Sequence, residues 1–235
     1  MARCAALTPF TLYARFIRYA PRNDRREPMP TPSPSGSRRP RGPLTDAHIE
    51  KLEEIKRESA ILFYEKGYAA TDVRQIADAL HMHVSSLYNY ISGKEELLYL
   101  LMKDGLVDIS AGLDAALEVS DDPAEQLRAA VQAHVLHHAH RRHRAWTGHV
   151  EVRALTGEYL DEIKHMRRDY ENRWIGLLKR GMEEGRFKRA DPQITAYSLM
   201  AIGQGLSRWY EPQRRMSAEE IATQVAEIAM TGVLA

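Results

Sequence analysis

The stretch that decides the fold is TDVRQIADALHMHVSSLYNYISGKEELL, residues 71–98. Its apolar residues recur at helical spacing, which predicts a first short helix that is capped by Thr71 and ends near His81. A second short helix is predicted from about His83 to Ile91. Two short helices joined by a turn of about three or four residues form a helix-turn-helix, in which the second helix can enter the major groove of DNA.

The second of these helices has two chemically different faces. Leu87 and Ile91 are predicted to pack against the first helix. The opposite face carries hydroxyl and amide groups, which suit phosphate oxygens and base edges, and the apolar Val84, which suits a thymine methyl group. Lys94 follows at the start of the next helix, where a flanking phosphate would lie. The predicted DNA-contacting residues of this stretch are Thr71, His83, Val84, Ser85, Ser86, Tyr88, Asn89 and Lys94.

The charge of the chain is divided unevenly, and this bears on DNA binding. Residues 44–98 carry six Lys and Arg against ten Asp and Glu, so an alternative is that the polar face is only solvated. Residues 1–43 hold nine Arg against one Asp and one Glu, a net charge of +7. This arm is rich in proline and is predicted to be disordered. Its Arg38, Arg39 and Arg41 are predicted to reach the minor groove or the phosphates.

The same stretch resembles a known family of DNA-binding proteins. The pairs Ile76-Ala77 and Leu87-Tyr88, followed by Lys94-Glu95-Glu96-Leu97, are similar to the DNA-binding domain of the tetracycline-repressor (TetR) family over roughly residues 48–108. The resemblance implies that Tyr88, Asn89 and Lys94 contact the bases or the DNA backbone.

Two residues depart from the family pattern. His81 stands in the turn where glycine is usual, and His83 stands where serine usually opens the second helix. Histidine adopts a left-handed backbone less readily than glycine, so the geometry of the turn depends on His81.

The rest of the chain is predicted to be helical, which makes the fold class all-α. Apolar residues at helical spacing between Thr45 and Gly67 predict a helix that precedes the helix-turn-helix. Ser92 and Glu95 are predicted to form a capping box that opens a long helix to about Glu118. Further helices are predicted at residues 123–140, 144–155, 158–184, 191–210 and 217–232.

The family resemblance implies the division into domains. It predicts a three-helix DNA-binding domain at residues 44–108 and a ligand-binding and dimerisation domain at residues 109–235, while the composition of residues 1–43 predicts a disordered basic extension. A homodimer is predicted to form through residues 191–232, where two helices carry small and apolar residues, and the alternative is that these residues form an internal core. The residues predicted for the dimer face are Ala196, Met200, Gly203 and Leu206, with Ile221, Ala222, Val225, Ile228, Ala229 and Gly232.

Residues 134–149 hold six of the ten histidines and three arginines. His134 and His138 lie four residues apart, a spacing that can bind a metal, but no Cys and no Asp or Glu completes a ligand set before Glu151. Two other interpretations are a basic helix end, favoured by the helix dipole, and a rim that binds a phosphate-bearing ligand. No metal site and no cofactor is predicted.

The C-terminal part resembles regulators of fatty-acid and steroid breakdown, several of which respond to acyl-CoA thioesters. The resemblance lies in Glu151-Val152-Arg153-Ala154-Leu155, Arg168-Asp169-Tyr170-Glu171, Gly181 to Phe187, and Arg208-Trp209-Tyr210 with Pro212. An acyl or ring-bearing tail needs an apolar cavity, and coenzyme phosphates need arginines at its mouth. The predicted lining residues are Trp146, Tyr159, Met166, Tyr170 and Trp174, and the predicted phosphate contacts are Arg141, Arg142, Arg144, Arg167 and Arg168.

The chain is therefore interpreted as a homodimeric regulator of transcription, most simply a repressor that acyl-CoA or a related lipophilic acid releases from double-stranded operator DNA. A regulator that senses a drug-like or other lipophilic molecule is the near alternative, and a helical metal-dependent enzyme that uses the histidines is a distant one. The sequence shows no group of acid–base or nucleophilic residues that would support an enzyme, so no enzyme is predicted. Cys4 is the only cysteine and no apolar run approaches the ~20 residues of a membrane helix, which favours a cytoplasmic protein without membrane contact.

Overall fold

The computed structural model describes residues 45–212 and 215–235, and the regular structure in these ranges is helical, as predicted. The first four helices are α1 Asp46–Lys66, α2 Val73–Ala79, α3 Val84–Leu87 and α4 Lys94–Leu117. They are followed by α5 Pro123–His140, α6 Arg142–Val150, a 3-10 helix at Glu151–Ala154, α7 Gly157–Glu183, α8 Pro192–Trp209 and α9 Ala218–Val233. None of the helices in these two ranges is long and apolar enough to cross a membrane.

Helix starts follow local capping chemistry, but two of the predicted caps are wrong. Asp72, rather than Thr71, caps α2, because Asp72 and Gln75 form a reciprocal capping box one residue further along. At α4 the N-cap is Gly93, which has no side chain to accept a hydrogen bond. The Ser92 N–H donates to the side chain of Glu96, two residues inside the helix, so the predicted box of Ser92 with Glu95 does not form.

Helix α3 lies against α2 in the way the sequence predicts, although it is shorter. Its α-helical part covers only Val84–Leu87, and turns continue the chain to Tyr90. Leu87 and Ile91 are fully buried together with Ile76 of α2, and α1 and α4 complete this N-terminal core. The hydrophobic contact between the two short helices therefore fixes the orientation of α3.

The turn between α2 and α3 contains a left-handed residue. His81 has a φ of 52°, and it is the one non-glycine residue with a positive φ among the described residues. Glycine is usual at this position in the TetR family. His81 adopts the left-handed backbone conformation that glycine would adopt in this turn. A side chain in this region of the backbone map costs about 1–2 kcal/mol.

We expect His81→Gly to raise the free energy of unfolding by about 0.5–1 kcal/mol, because the relieved strain exceeds the extra chain entropy of glycine. His83→Gly is the matched control, since His83 has an ordinary extended backbone with a φ of −71° and is expected to lose stability on the same change. Urea denaturation of both variants measures the difference. Equal losses in the two variants would show that the turn is not strained.

A second core fills the C-terminal part. It is formed by α5, α7, α8 and α9 with the C-terminal half of α4, and Trp174 and Phe187 are its largest buried side chains. Helix α4 contributes to both cores, with Leu97 and Leu98 in the N-terminal one and Ile109 and Leu113 in the other. The helix-turn-helix and the C-terminal core are therefore connected by one continuous helix.

Candidate functional site

The exposed face of α3 is the candidate surface for DNA. Ser85, Tyr88 and Asn89 are exposed, Val84 and Ser86 are half-buried, and His83 lies exposed just before the helix. The Tyr88 ring remains 49% accessible although the neighbouring Leu87 is fully buried. This arrangement presents hydroxyl and amide groups on one face, as the sequence predicts for a helix that enters the major groove.

Thr71 was predicted to contact DNA, and the structure contradicts this. The side chain is fully buried. Its hydroxyl donates to the Gly67 carbonyl at 2.9 Å and to the Leu62 carbonyl at 3.4 Å. A hydroxyl that closes the end of α1 has no access to a DNA phosphate, so Thr71 holds the turn between α1 and α2.

Lys94 lies at the start of α4, as predicted, but its ammonium group is already bound. It donates to the carbonyls of Tyr68 at 2.8 Å and Thr71 at 2.7 Å, and it lies 4.2 Å from the centre of the Tyr68 ring. Burial lowers the pKa of Lys94. These contacts join the start of α4 to the α1–α2 turn, and the DNA contact predicted for Lys94 stays a prediction. Arg38, Arg39 and Arg41 lie outside the described residues.

A cavity of about 280 Å³ lies between helices α4 to α8. Its apolar wall comes from α4 and the opposite wall is polar. The apolar residues are Leu101, Met102, Leu106 and Ile109, next to Gly105. The polar wall contains His134, His137, His138, Arg144, His149, Arg167, Tyr170, Glu171, Tyr197 and Gln204. An apolar cavity with a few convergent polar groups is typical of small-molecule sites.

His134 is a fixed part of the cavity wall. Its Nε2 lies 3.0 Å from the Met200 carbonyl, and its Nδ1 lies 2.8 Å from the Tyr170 hydroxyl. A carbonyl only accepts, so Nε2 carries the proton and Tyr170 donates to Nδ1. Burial lowers the pKa of His134 to about 4, and the ring is neutral at pH 7. Because both ring nitrogens are hydrogen-bonded, His134 has no free lone pair for a metal ion. His134 and His138 in this arrangement therefore do not form a metal-binding pair.

His138 is the cavity residue that lacks a partner. The side chain is buried, and its Nδ1 has no hydrogen-bond partner among the described residues. Burial, with His134 and His137 nearby, holds the pKa of His138 far below its usual range. A buried nitrogen without a partner loses the free energy of a hydrogen bond, which a ligand in the cavity can restore.

Two arginines supply the positive charge of the cavity. Arg144 is paired with Glu53 of α1 at 3.4 Å. Arg167 donates to the Gly148 carbonyl, and burial lowers the pKa of its guanidinium. Both were predicted from the sequence as phosphate contacts. The structure places them beside a largely apolar cavity, where an acidic or polar end of a ligand can reach them.

Several predicted lining residues lie elsewhere. Trp174 is fully buried in the C-terminal core, and Tyr159 stacks on Tyr99 at 4.3 Å in the N-terminal core. Trp146 lies beside Arg208, and Met166 is half-buried outside the cavity. Arg168 is exposed and does not line this cavity. Tyr170 is the predicted aromatic residue that does line the cavity. The histidines were singled out by their spacing, but the sequence analysis did not place them in the wall of this cavity.

A larger basic cleft lies beside this cavity. It has a volume of about 670 Å³ and runs between α1, α6 and the described residues Tyr210, Pro212 and Ser217 to Glu219. Arg141 and Arg142 line it, and Arg144 lines both the cleft and the cavity. The predicted arginine cluster is therefore divided, with Arg141 and Arg142 in the cleft, Arg167 in the cavity and Arg144 between them.

Comparison with known proteins decides the family. The description "Bacterial regulatory proteins, tetR family" matches residues 57–99, and "Tetracyclin repressor-like, C-terminal domain" matches residues 120–233. The TetR-family regulator PfmR from Thermus thermophilus is 31% identical, with a TM-score of 0.70 over 76% of this chain and 97% of PfmR. The chain belongs to the TetR family. As a TetR-family protein it is a regulator of transcription that binds operator DNA as a dimer and takes a small-molecule effector, and it is not an enzyme.

Two further TetR-family proteins are similar over most of their length. The HTH-type transcriptional repressor KstR2 of Mycolicibacterium smegmatis is 25% identical over 185 residues, which cover 78% of this chain and 90% of KstR2. The structure of AibR in complex with isovaleryl coenzyme A and operator DNA is 24% identical, with a TM-score of 0.68 over 76% of this chain and 97% of AibR. At that identity the AibR comparison shows the shared TetR fold alone.

Several residues predicted for the dimer face of this TetR-family chain are buried inside the protomer. Ala196, Met200, Gly203 and Leu206 are buried inside the protomer, where α8 packs against α5 and α7, so they are not available to a partner. Ala222 and Ala229 of α9 are buried as well. The exposed apolar residues on these two helices are Ile194, Tyr197, Ile202, Trp209 and Ile228. Residues 191–232 thus retain an apolar outer face, which Ile228 of the predicted set shares with α8 residues that the prediction did not include.

Proposed function

We propose that this chain is a transcriptional repressor whose effector is an amphipathic acid, taken as its coenzyme A thioester. The observation that carries the proposal is the cavity of about 280 Å³, which has an apolar wall on α4 and, on the opposite wall, His138, whose buried Nδ1 has no partner among the described residues. A thioester carbonyl accepts hydrogen bonds, and neutral His138 donates one if its proton is on Nδ1. The apolar wall then covers the acyl or ring-bearing part.

The size of the cavity bears on which part of the ligand it holds. Small-molecule sites occupy about 300–1,000 Å³, and the volume of this cavity lies just below that range. It suits a short acyl chain or a compact ring system, and a whole coenzyme needs further space. KstR2 is named as a repressor, and AibR was crystallised with isovaleryl coenzyme A and operator DNA. The name of KstR2 supports a repressor, the AibR complex supports a thioester effector, and this proposal places the protein in the cytoplasm.

The test is operator release by a panel of acyl-CoAs, their free acids and drug-like lipophilic compounds, with thermal unfolding measured in parallel. We expect thioesters to raise the unfolding temperature and to release operator DNA, since a ligand that binds one state better shifts the population to that state. Release by the drug-like compounds alone would replace this proposal by the other effector class.

Gly105→Leu is expected to weaken effector binding at least about tenfold while operator binding without effector is unchanged. Gly105 lines the cavity, and a β-carbon there would have no atom within 4 Å, so a leucine side chain extends into the space that the ligand needs. Gly105→Ala is the matched control, because it gives the same gain in helix propensity of about 1 kcal/mol with little volume. Calorimetric titration of both variants separates filling of the cavity from helix stability. Equal affinities in the two variants would place the effector elsewhere.

We further propose that α3 reads the operator through Val84, Ser85, Tyr88 and Asn89, on a DNA-binding domain of residues 44–108 joined to an effector and dimerisation domain of residues 109–235. Their shared exposure on one helix face supports this assignment. The +7 arm at residues 1–43 adds attraction to phosphates in this proposal.

Tyr88→Ala is expected to weaken operator binding by about 1–3 kcal/mol, the usual free energy of one good base or phosphate contact. Tyr88→Phe is the control that removes only the hydroxyl group. Fluorescence anisotropy with operator and unrelated DNA measures both affinities. An equal loss on both DNAs assigns Tyr88 to the phosphates, a loss on the operator alone assigns it to the bases, and wild-type affinity would remove Tyr88 from the interface.

A further inference from the structure

The basic cleft next to the effector cavity has the composition of a site for phosphate groups. The described residues that line it include four arginines and two histidines against a single carboxylate, that of Glu219. Guanidinium groups bind phosphate through paired hydrogen bonds, which makes arginine the residue of choice for such ligands. The lining residues that carry this charge are Arg57, His140, Arg141, Arg142, His143 and Arg144.

Arg142 is the cleft residue with unused hydrogen-bonding capacity. One of its terminal nitrogens donates to the Tyr210 carbonyl at 3.1 Å, and its guanidinium lies 5.3 Å from the centre of the Tyr64 ring. Its Nε is buried and has no acceptor among the described residues. A buried N–H of a charged group without an acceptor is costly, and a shift of the Arg142 side chain toward an anionic oxygen in the cleft would remove that cost.

The cleft and the cavity share a wall, and this determines how a single ligand would occupy both. Arg144 lines the two spaces, with the apolar cavity on one side and the cleft of about 670 Å³ on the other. The cleft supplies the space that the cavity of about 280 Å³ lacks for a coenzyme. We infer that the basic cleft is the phosphate subsite for the coenzyme part of the effector, an inference that rests on the proposed function.

The position of the cleft also suggests how the phosphates would affect DNA binding. Arg57, Ala60 and Ile61 of α1 form one side of the cleft, so the ligand contacts the DNA-binding part of the chain directly. Arg144 on the other side is paired with Glu53 of α1 at 3.4 Å. A phosphate beside Arg144 competes with the Glu53 carboxylate for the same guanidinium. Phosphate binding therefore weakens a contact that joins α6 to α1.

The test compares Arg57→Gln and Arg142→Gln with Arg189→Gln, an exposed arginine of the α7–α8 loop that lines neither space and loses the same charge. Calorimetric titration uses octanoyl-CoA, coenzyme A and octanoate as probes. We expect both cleft variants to bind octanoyl-CoA and coenzyme A at least about tenfold more weakly, while octanoate affinity and operator affinity without ligand stay unchanged. Arg189→Gln should match the wild type with every probe.

The outcomes separate this inference from the proposed function. Wild-type affinity of both cleft variants for octanoyl-CoA would overturn the phosphate subsite while the effector cavity stands. An equal loss with octanoate would also overturn it, because the effect then does not depend on phosphate. Failure of the wild type to bind any acid or thioester would overturn the proposed function and the subsite with it. If Arg142→Gln does not fold, Arg57→Gln decides, since its side chain is 62% exposed and contributes little to packing.

Discussion

Gly203→Ala is expected to lower the free energy of unfolding by about 3 kcal/mol and to abolish effector binding. A β-carbon at Gly203 would lie 2.2 Å from Cδ2 of the His134 ring, far inside van der Waals contact. The ring cannot move aside without losing its hydrogen bonds to Tyr170 and to the Met200 carbonyl. Both the packing of α8 on α5 and the shape of the cavity wall therefore depend on this glycine.

Gly205→Ala is the matched control for this prediction. Gly205 lies on the same helix, but a β-carbon there would have no atom within 4 Å, so alanine should stabilise the helix by about 1 kcal/mol. Urea denaturation of both variants measures the difference, and titration with octanoyl-CoA reports on the cavity. Removing the ring in the double variant Gly203→Ala, His134→Ala should recover part of the lost stability. Similar stabilities of the two single variants would mean that His134 can be displaced at little cost.

Ile228→Glu is expected to convert the dimer into monomers and to weaken operator binding at least about a hundredfold. Ile228 lies on the outer face of α9 and is 67% exposed in the protomer, and α8 adds Ile194 and Trp209 to the same class of exposed apolar residues. A carboxylate in a buried apolar contact between subunits has no partner and is strongly unfavourable. Two linked α3 helices bind two half-sites far more tightly than one, so loss of the dimer removes this gain.

Sedimentation measures the first effect, with a mass of about twice the 26.8 kDa chain for the wild type and one chain mass for Ile228→Glu. Anisotropy with a two-half-site operator measures the second. Val119→Glu is the control, since Val119 is 59% exposed in the loop between α4 and α5 and gains the same charge away from α8 and α9. A dimeric Ile228→Glu variant would place the subunit contact on a different face.

Most of the helix boundaries could be predicted from the sequence because local chemistry sets them. Asp122 and Asp191 each cap a helix that opens with proline, and Ser217 with Glu220 forms a capping box, so these starts need no tertiary information. The polar face of α3 was predictable for a similar reason. Once Leu87 is assigned to the core, helical geometry fixes which neighbours face outward.

The cavity and the dimer face could not be predicted at the level of residues. Trp174 and Tyr170 are both buried on α7 at helical spacing, but only Tyr170 reaches the cavity, and that depends on where the facing helices leave a gap. On α8, Gly203 and Leu206 face the core while Ile202 and Trp209 face outward. Apolar residues surround this helix on all sides, so periodicity alone could not distinguish its inner face from its outer one.

The contacts of Lys94 have a mechanical consequence for regulation. Helix α4 is continuous over 24 residues, its first residue is bound to the carbonyls of Tyr68 and Thr71, and Gly105 lines the proposed effector cavity. From Lys94 to Gly105 the helix is about 17 Å long at 1.5 Å per residue, so a tilt of about 5° at the cavity displaces its bound end by roughly 1.5 Å. The helix-turn-helix is carried along by that displacement. A ligand bound far from the operator can thus change the spacing of the two α3 helices in the dimer by tilting α4.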